Sequence, residues 1–315
     1  MHIGRTPALG ELRDQLAQTQ RELVTLLIGL DAIRAGRADG AHGTGAGRPW
    51  RDEAEREQSV RHARRFVCDA ALGRIVDALD GYLAALRRME ALAAGTPRFA
   101  ALPERSVKAR LDAISEDLES SLRSAPGSDC RLELALAHLA IQWRNRRLHS
   151  GAANRLEQRH VAVLRAGASD AQSEYGGVHA GALLEHFDAS RSPRLRELAG
   201  LARAIGVLGA RLDRAAVAVA VPERYAEEAV ARAFCESGRE GARRLADLWG
   251  RPPEKRMAKL RQVLKTLGFR DRPVTDGQPA LADGWLDDLA AGSYREVAAR
   301  LGLVEEREAP RDADL

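Results

Sequence analysis

The chain has 315 residues, a formal net charge of +4 and an isoelectric point near 9.2. This length is enough for one large or two smaller domains with a substantial core. Alanine, leucine and arginine dominate, and hardly any segment alternates as a β-strand would, which predicts an all-α protein and argues against sheet folds. The charge permits an anionic partner without requiring one, because only four of the 49 basic residues are lysine, an imbalance typical of a GC-rich genome.

The cysteines and the apolar runs indicate the compartment. Cys68, Cys130 and Cys235 are far apart and lack any Cys-x-x-Cys spacing, which predicts reduced thiols. The N-terminus has no apolar signal core, and the longest apolar runs, 26–30 and 215–221, are too short to span a bilayer. We therefore expect a cytoplasmic protein with no membrane partner.

The first division of the chain, residues 1–50, contains one predicted helix and a glycine-rich segment. Leucines recur at helical spacing over 8–35, and GRADGAHGTGAGRPW follows at 36–50. GTGAGR resembles a phosphate-binding loop, but no Lys-Ser/Thr follows it and no strand precedes it. We interpret the segment as a flexible linker.

The apolar pattern of residues 52–220 predicts a helical up-and-down bundle. Apolar residues recur at helical spacing over 52–94, 104–123 and 193–220, with short connections between the first helices. A short basic helix is expected over 153–165, followed by a loop, GASDAQSEYGG. His179, His186 and Asp188 are conceivable metal ligands, but the seven-residue gap between the histidines matches no recurrent zinc spacing. We therefore expect no metal site and no cofactor in this protein.

Residues 222–304 predict a second, smaller helical module, and 305–315 form a charged tail. The predicted helices cover 223–236, 239–249, 253–267, 281–290 and 293–301. Eight basic residues crowd residues 251–272, where Glu254 and Asp271 are the acids. This segment is either a solvated helix face or a patch that contacts RNA phosphates through Lys255, Lys259 and Lys265.

The helix predicted within 129–151 ends in a turn whose residues point to a function. Leu132, Leu136, Leu139 and Trp143 form an apolar stripe for burial on one side, with Asp129 as N-cap and Gly151 as the stop after the last turn. Its last turn reads Arg-Asn-Arg-Arg-Leu-His over 144–149, so the apolar helix ends in a cationic and titratable tip.

This tip resembles the Arg-x4-His signature of the HEPN superfamily, in its narrower form Arg-Asn-x3-His. The superfamily consists of helical-bundle proteins, many of them metal-independent endoribonucleases. Chance gives about one Arg-x4-His match in a chain of this composition, and requiring Asn lowers that to a few hundredths. The other two matches, Arg37…His42 and Arg155…His160, lack the Asn.

The resemblance implies an RNA-cleaving site made of Arg144, Asn145 and His149, with Arg147 as a further RNA contact. RNA supplies its own nucleophile, the 2′-hydroxyl, so cleavage needs a proton-transfer group that works near neutral pH and a fixed cation on the phosphate. Asn145 can orient His149, because residues i and i+4 share a helix face. The implied products carry 2′,3′-cyclic phosphate and 5′-hydroxyl ends.

An unbroken helix separates Arg144 and His149 by about 140° around its axis, so the two side chains do not converge within one chain. We therefore expect a homodimer with a composite site, as HEPN nucleases commonly form, unless the helix opens near His149. The resemblance also implies a toxin or antiviral-defence effector, with an antitoxin or a defence protein as partner.

Three other interpretations remain open. His149 and the arginines could serve only to cap the helix C-terminus and to pair with acids. The protein could be a non-catalytic helical RNA-binding or scaffold subunit of a defence or regulatory complex. It could also be an inactive HEPN-like protein or one that binds a nucleotide.

Overall fold

The computed structural model describes residues 1–37, 50–89, 106–122, 130–148, 154–235, 238–273 and 277–302. Over these ranges the chain is 77% helical with almost no strand, which confirms the all-α prediction. The described helices are α1 (Pro7–Arg34), α2 (Glu53–Arg87), α3 (Val107–Leu122), α4 (Arg131–Leu148), α5 (Gln158–Ala166), α6 (Ala168–Glu174), α7 (Ala180–Asp188), α8 (Leu195–Ala218), α9 (Pro222–Cys235), α10 (Gly238–Trp249), α11 (Pro253–Thr266), α12 (Trp285–Ala291) and α13 (Tyr294–Arg300). Two short strands, β1 (His2–Ile3) and β2 (Phe269–Arg270), complete them. None of these helices has the length and apolar character needed to cross a membrane.

The predicted loop after residue 166 was wrong. Residues Ala168–Glu174 form α6, in which Ala171 is fully buried and after which Tyr175 is almost fully buried. The segment is polar in composition, so its few core-facing residues were too sparse to produce a helical pattern. Helix α7 was also not predicted, and it buries Leu183 and Phe187.

The contacts divide the chain into two compact units. One consists of Met1–Gly10, Ala84–Leu102 and Asp213–Leu315, and we call it the terminal unit. The other consists of Glu11–Leu83 and Pro103–Leu212, and we call it the central unit. The predicted domain boundaries near residues 51 and 221 stay predictions.

In the central unit, α4 is buried around its whole circumference rather than on one side. Every residue from Glu133 to Trp143 is buried. Ala135, Ala137 and Ala140 are fully buried, and their small side chains let neighbouring helices approach on the sides that the leucine stripe does not cover. The expected N-cap Asp129 and stop residue Gly151 lie outside the described residues.

In the terminal unit, the N-terminal residues pair with the short strand that follows α11. Strand β1 pairs with β2 in antiparallel register, with Ile3 opposite Phe269, and both side chains are buried. Gly268 allows this approach, because its φ is +101° and a Cβ there would stand 2.3 Å from the Arg5 carbonyl oxygen. Helix α11 packs against α9, α10 and α12.

A buried carboxylate holds the start of α1 within the same unit. The Thr6 backbone N–H donates to Asp213 Oδ2 at 3.0 Å, and the Thr6 hydroxyl donates to Asp213 Oδ1. The same hydroxyl oxygen accepts from the Leu9 N–H at 3.2 Å, as an N-cap does. Both side chains are almost completely buried.

Replacing Asp213 by Ala should lower the free energy of unfolding by about 3 kcal/mol, because two donors of Thr6 then stay buried without an acceptor. Urea unfolding followed by circular dichroism measures this loss. The matched control is Asp14→Ala on the exposed side of α1, which should change stability by less than about 0.5 kcal/mol. Equal losses in the two variants would contradict this role of Asp213.

Candidate functional site

The end of α4 lies along one face of α2 in the central unit. On α2, Asp69, Gly73 and Asp77 are spaced by four residues and therefore share a helix face. Arg147 binds Asp69, the Leu148 side chain lies over Gly73, and Arg144 binds Asp77. We call Arg144–Leu148 with this face of α2 the α4 tip.

Arg147 is bound to protein groups on all sides of its guanidinium. Its Nε and Nη2 donate to the carboxylate of Asp69 at 2.8–3.2 Å, and its Nη1 donates to the Ser190 carbonyl at 2.8 Å. Nη2 also donates to the Ser192 hydroxyl, which itself bonds to Asp69. The expected RNA contact by Arg147 stays a prediction, but these bonds favour a structural role.

Arg146 anchors the other side of the tip. It donates to the carbonyl oxygens of Asn154 and Phe187, and its guanidinium carbon stands 3.8 Å from the centre of the Phe187 ring. Trp143, three residues earlier, donates from its indole N–H to the Arg191 carbonyl at 2.8 Å. These contacts fix the position of the α4 tip relative to the surrounding helices.

Arg144 is held more loosely than the two other arginines of the tip. Its Nη2 donates to Asp77 at 2.9 Å, and the side chains are 27% and 62% exposed, respectively. An ion pair of this exposure contributes about 0–1 kcal/mol. The neighbouring Asn145 accepts a long 3.4 Å bond from Arg144 Nη1, and the Nε of Arg144 is buried with no partner among the described residues. His149 lies outside those residues.

A cavity of about 280 Å³ opens beside Arg146. Three arginines line it, Arg146 from the tip with Arg155 and Arg165, and Asp188 is the acid among its described lining residues. In the described part of the chain, neither Arg155 nor Arg165 forms an ion pair, and both are exposed. The cavity is therefore cationic and suits an anionic ligand.

Two apolar side chains are exposed at or beside the tip. Phe66 precedes Asp69 by three residues on α2 and is 74% exposed, and Leu148 is 48% exposed. Covering such a ring with a partner would remove apolar surface from water and would therefore be favourable. The sequence analysis did not single out Phe66, although this residue lies within the predicted helix 52–94, three residues before Asp69.

The basic segment 251–272 lies in the terminal unit, mostly on α11. The side chains of Lys255, Lys259 and Lys265 are exposed. Lys265 binds Asp271 at 2.5 Å, and Lys259 binds Gln262 at 3.1 Å. These are weak surface contacts, so the lysines remain accessible to phosphate.

A second group of polar side chains surrounds the middle of α4. His138 is 1% exposed, and its ring stacks on that of His160 from α5 with ring centres 4.1 Å apart. Asp112 of α3 brings its Oδ1 to 3.3 Å from His138 Nε2. We call Asp112, His138 and His160 the imidazole cluster, and their ligand atoms lie within 4.8 Å of one another.

Burial lowers the pKa of His138 to about 4, and the neighbouring His160 acts in the same direction. Burial also lowers the pKa of His160, helped by the positive charge of Arg159. Both rings are therefore neutral near pH 7. Sequence reasoning missed this cluster, because its three members come from separate helices and form no short motif.

The histidines at positions 179 and 186 do not assemble a metal cluster with Asp188. His186 Nδ1 lies 2.8 Å from Glu197 Oε1, and both side chains are almost fully buried. Among the described residues, one group of three or more side chains could hold a metal ion, and it is the imidazole cluster. His179, His186 and Asp188 are not part of it.

The contacts of the tip predict different consequences for two arginines that are three residues apart. Arg147→Ala should lower the free energy of unfolding by about 1.5–3 kcal/mol, because it removes charged hydrogen bonds around a largely buried carboxylate. Arg144→Ala, the matched control, should cost less than about 1 kcal/mol. Urea unfolding of the two variants measures both, and equal losses would contradict the division of roles.

Comparison of the chain with models of known families, with curated proteins and with solved structures finds no match in any of the three. The resemblance to the HEPN superfamily therefore rests on the Arg-Asn-x3-His pattern and its place at the end of a buried helix.

Proposed function

We propose that the protein is a metal-independent endoribonuclease that cleaves RNA at the α4 tip. One observation carries the proposal: Arg146 and Arg147 fix the tip to the surrounding protein, while Arg144 binds a single exposed acid beside Asn145. A phosphate can replace Asp77 as the partner of Arg144 at little cost, because the pair is largely solvent-screened.

In the proposed reaction, the 2′-oxygen of one nucleotide attacks the adjacent phosphorus while His149 takes the hydroxyl proton. The bond from phosphorus to the 5′-oxygen breaks, that oxygen takes a proton from water, and His149 then releases the proton that it accepted to the solvent. The products are a 2′,3′-cyclic phosphate and a 5′-hydroxyl. Arg144 stabilises the charge that builds on the phosphate, since its planar guanidinium can hold two oxygens.

The cationic cavity beside Arg146 supports RNA as the ligand. Arg155 and Arg165 offer positive charges for the phosphates of an RNA strand that enters this cavity. Phe66 offers an exposed aromatic face close to the same tip.

The proposal includes a homodimer with a composite site, because two side chains five residues apart in sequence, as Arg144 and His149 are, diverge by about 140° around a regular helix. Phe66 and Leu148 support this part, since a second chain docking at the tip would cover both apolar side chains. A role as toxin or antiviral-defence effector, with an antitoxin or defence partner, rests on the HEPN resemblance.

A second candidate function is RNA binding without catalysis. A specific observation favours it: a groove of about 450 Å³ in the central unit is lined by Arg13, Arg196 and Arg203, with no acid among its described lining residues. In that case RNA would bind by phosphate contacts, and the α4 tip would serve only to end its helix.

His149→Ala should abolish RNA cleavage, and Arg144→Lys should lower its rate by about 100-fold, because lysine keeps the charge but lacks the paired donors. Purified protein is incubated with labelled RNA in EDTA, and circular dichroism confirms that each protein stays folded. The control is His62→Ala, which removes an exposed histidine of α2 and should leave the rate unchanged. Wild-type cleavage by the His149 variant, or cleavage that requires Mg²⁺, would refute the proposal.

The basic segment is tested separately by replacing Lys255, Lys259 and Lys265 with Glu. RNA binding should weaken across sequences, and the slope of log affinity against log salt should flatten by about 2, as expected for three lost contacts to single-stranded RNA. The matched control carries the same charge change at exposed positions of α1 and α2, Arg21, Arg61 and Arg65. If both triple variants lose affinity equally, only net charge matters and the segment is an ordinary solvated face.

A further inference from the structure

We propose that the imidazole cluster is a binding site for a divalent transition-metal ion, with Zn²⁺ as the probe that tests it. Three helices of the central unit contribute one ligand each: Asp112 from α3, His138 from α4 and His160 from α5. The site is separate from the α4 tip and does not depend on the proposed ribonuclease activity.

Unsatisfied buried nitrogen atoms carry this inference. Both ring nitrogens of His138 and the Nε2 of His160 are buried and form no hydrogen bond with any described residue. The 3.3 Å approach of His138 Nε2 to Asp112 Oδ1 lacks hydrogen-bond geometry. Leaving a buried polar group unsatisfied destabilises a fold. Each neutral ring has one nitrogen with a free lone pair, so the two rings together point to a ligand that accepts two lone pairs beside a carboxylate.

The donor set selects the class of ion. Two imidazole nitrogens and one carboxylate oxygen suit Zn²⁺ and its neighbours in the first transition row, whereas Mg²⁺ and Ca²⁺ prefer oxygen ligands alone. Three protein ligands leave the fourth position of a tetrahedral ion for water.

Binding requires two small movements. The ligand atoms lie up to 4.8 Å apart, and a tetrahedral Zn²⁺ needs them roughly 3.3 Å apart. The stacked rings must also separate, because a metal lies in the plane of each ring that binds it. His160 is the ring that can turn, since it lies near the start of α5 and is less buried than His138.

Two cations and a second carboxylate surround Asp112. Lys108 donates to its Oδ2 at 3.0 Å and Arg159 to its Oδ1 at 3.1 Å, while Glu157 binds both cations at 2.7 and 2.9 Å. The two positive and two negative charges of this group therefore cancel. Arg159 competes with a metal for Oδ1, but its side chain is 55% exposed and can stay with Glu157.

The test uses the untagged full-length chain, freed of metal by a chelator and then titrated with Zn²⁺ in a calorimeter. We expect one Zn²⁺ per chain and a rise in melting temperature. Affinity should fall by at least about 100-fold in His160→Ala and in Asp112→Asn, two variants that avoid the risk of emptying the core at His138. Arg159→Ala should bind Zn²⁺ more tightly than the wild type, because the competing cation is gone.

Co²⁺ and Mg²⁺ serve as further probes. Co²⁺ should give the strong visible absorption of a four-coordinate ion in the wild type and lose it in His160→Ala, and Mg²⁺ should not raise the melting temperature. His62→Ala, which removes an exposed histidine, should bind Zn²⁺ like the wild type. No bound Zn²⁺, or binding that is unchanged in both His160→Ala and Asp112→Asn, would overturn the assignment.

Discussion

Complete burial of α4 is the constraint on which the central unit depends. The helix is enclosed from Glu133 to Trp143, so a polar side chain within that run has no access to solvent and depends on partners inside the protein. Glu133 accepts from the Tyr175 hydroxyl at 2.7 Å and pairs with Arg211. Burial, together with bonding to Glu133, raises the pKa of Tyr175 far above its ordinary value, so its hydroxyl remains a donor. Glu133 therefore links α4 to α8 and to the residue that follows α6.

The same constraint explains why the end of α4 is so firmly bound. Where the buried run stops, the chain carries three arginines within four residues, and each reaches back to a different neighbour. Arg146 binds backbone carbonyls, Arg147 binds the largely buried Asp69, and Arg144 binds the exposed Asp77. Two of these arginines hold the tip rigid, and a rigid support is what a site needs to place a cation on a phosphate without reorganisation.

The sequence predicted most of the helices but not the neighbours against which they pack. Leucines at helical spacing located α1, α2, α3, α8 and the helices of the terminal unit, because each of these helices buries a clear apolar stripe. The pattern failed for α4, where Leu136 and Trp143 suggested one buried face and the alanines between them were the sign of burial on every side. It also failed for β1, since two residues cannot show periodicity and their pairing with residues 269–270 is a tertiary contact.

The candidate site was predictable only where it is local. Arg144 and Asn145 are adjacent in sequence, so the sequence alone reveals their motif. The partners that decide the roles of the arginines, Asp69 and Asp77, lie on a helix about 70 residues earlier, and spacing alone cannot reveal them. The same is true of the imidazole cluster, whose members lie on three different helices.

We propose that this tip cleaves RNA by using the 2′-hydroxyl of the substrate itself. The most direct measurement compares an RNA oligonucleotide with the same sequence made entirely as 2′-O-methyl RNA and identifies the ends of any fragments. We expect that only the unmodified RNA is cut and that its fragments end in 2′,3′-cyclic phosphate and 5′-hydroxyl groups. Cleavage of the methylated strand, or fragments with 3′-hydroxyl and 5′-phosphate ends, would contradict this proposal.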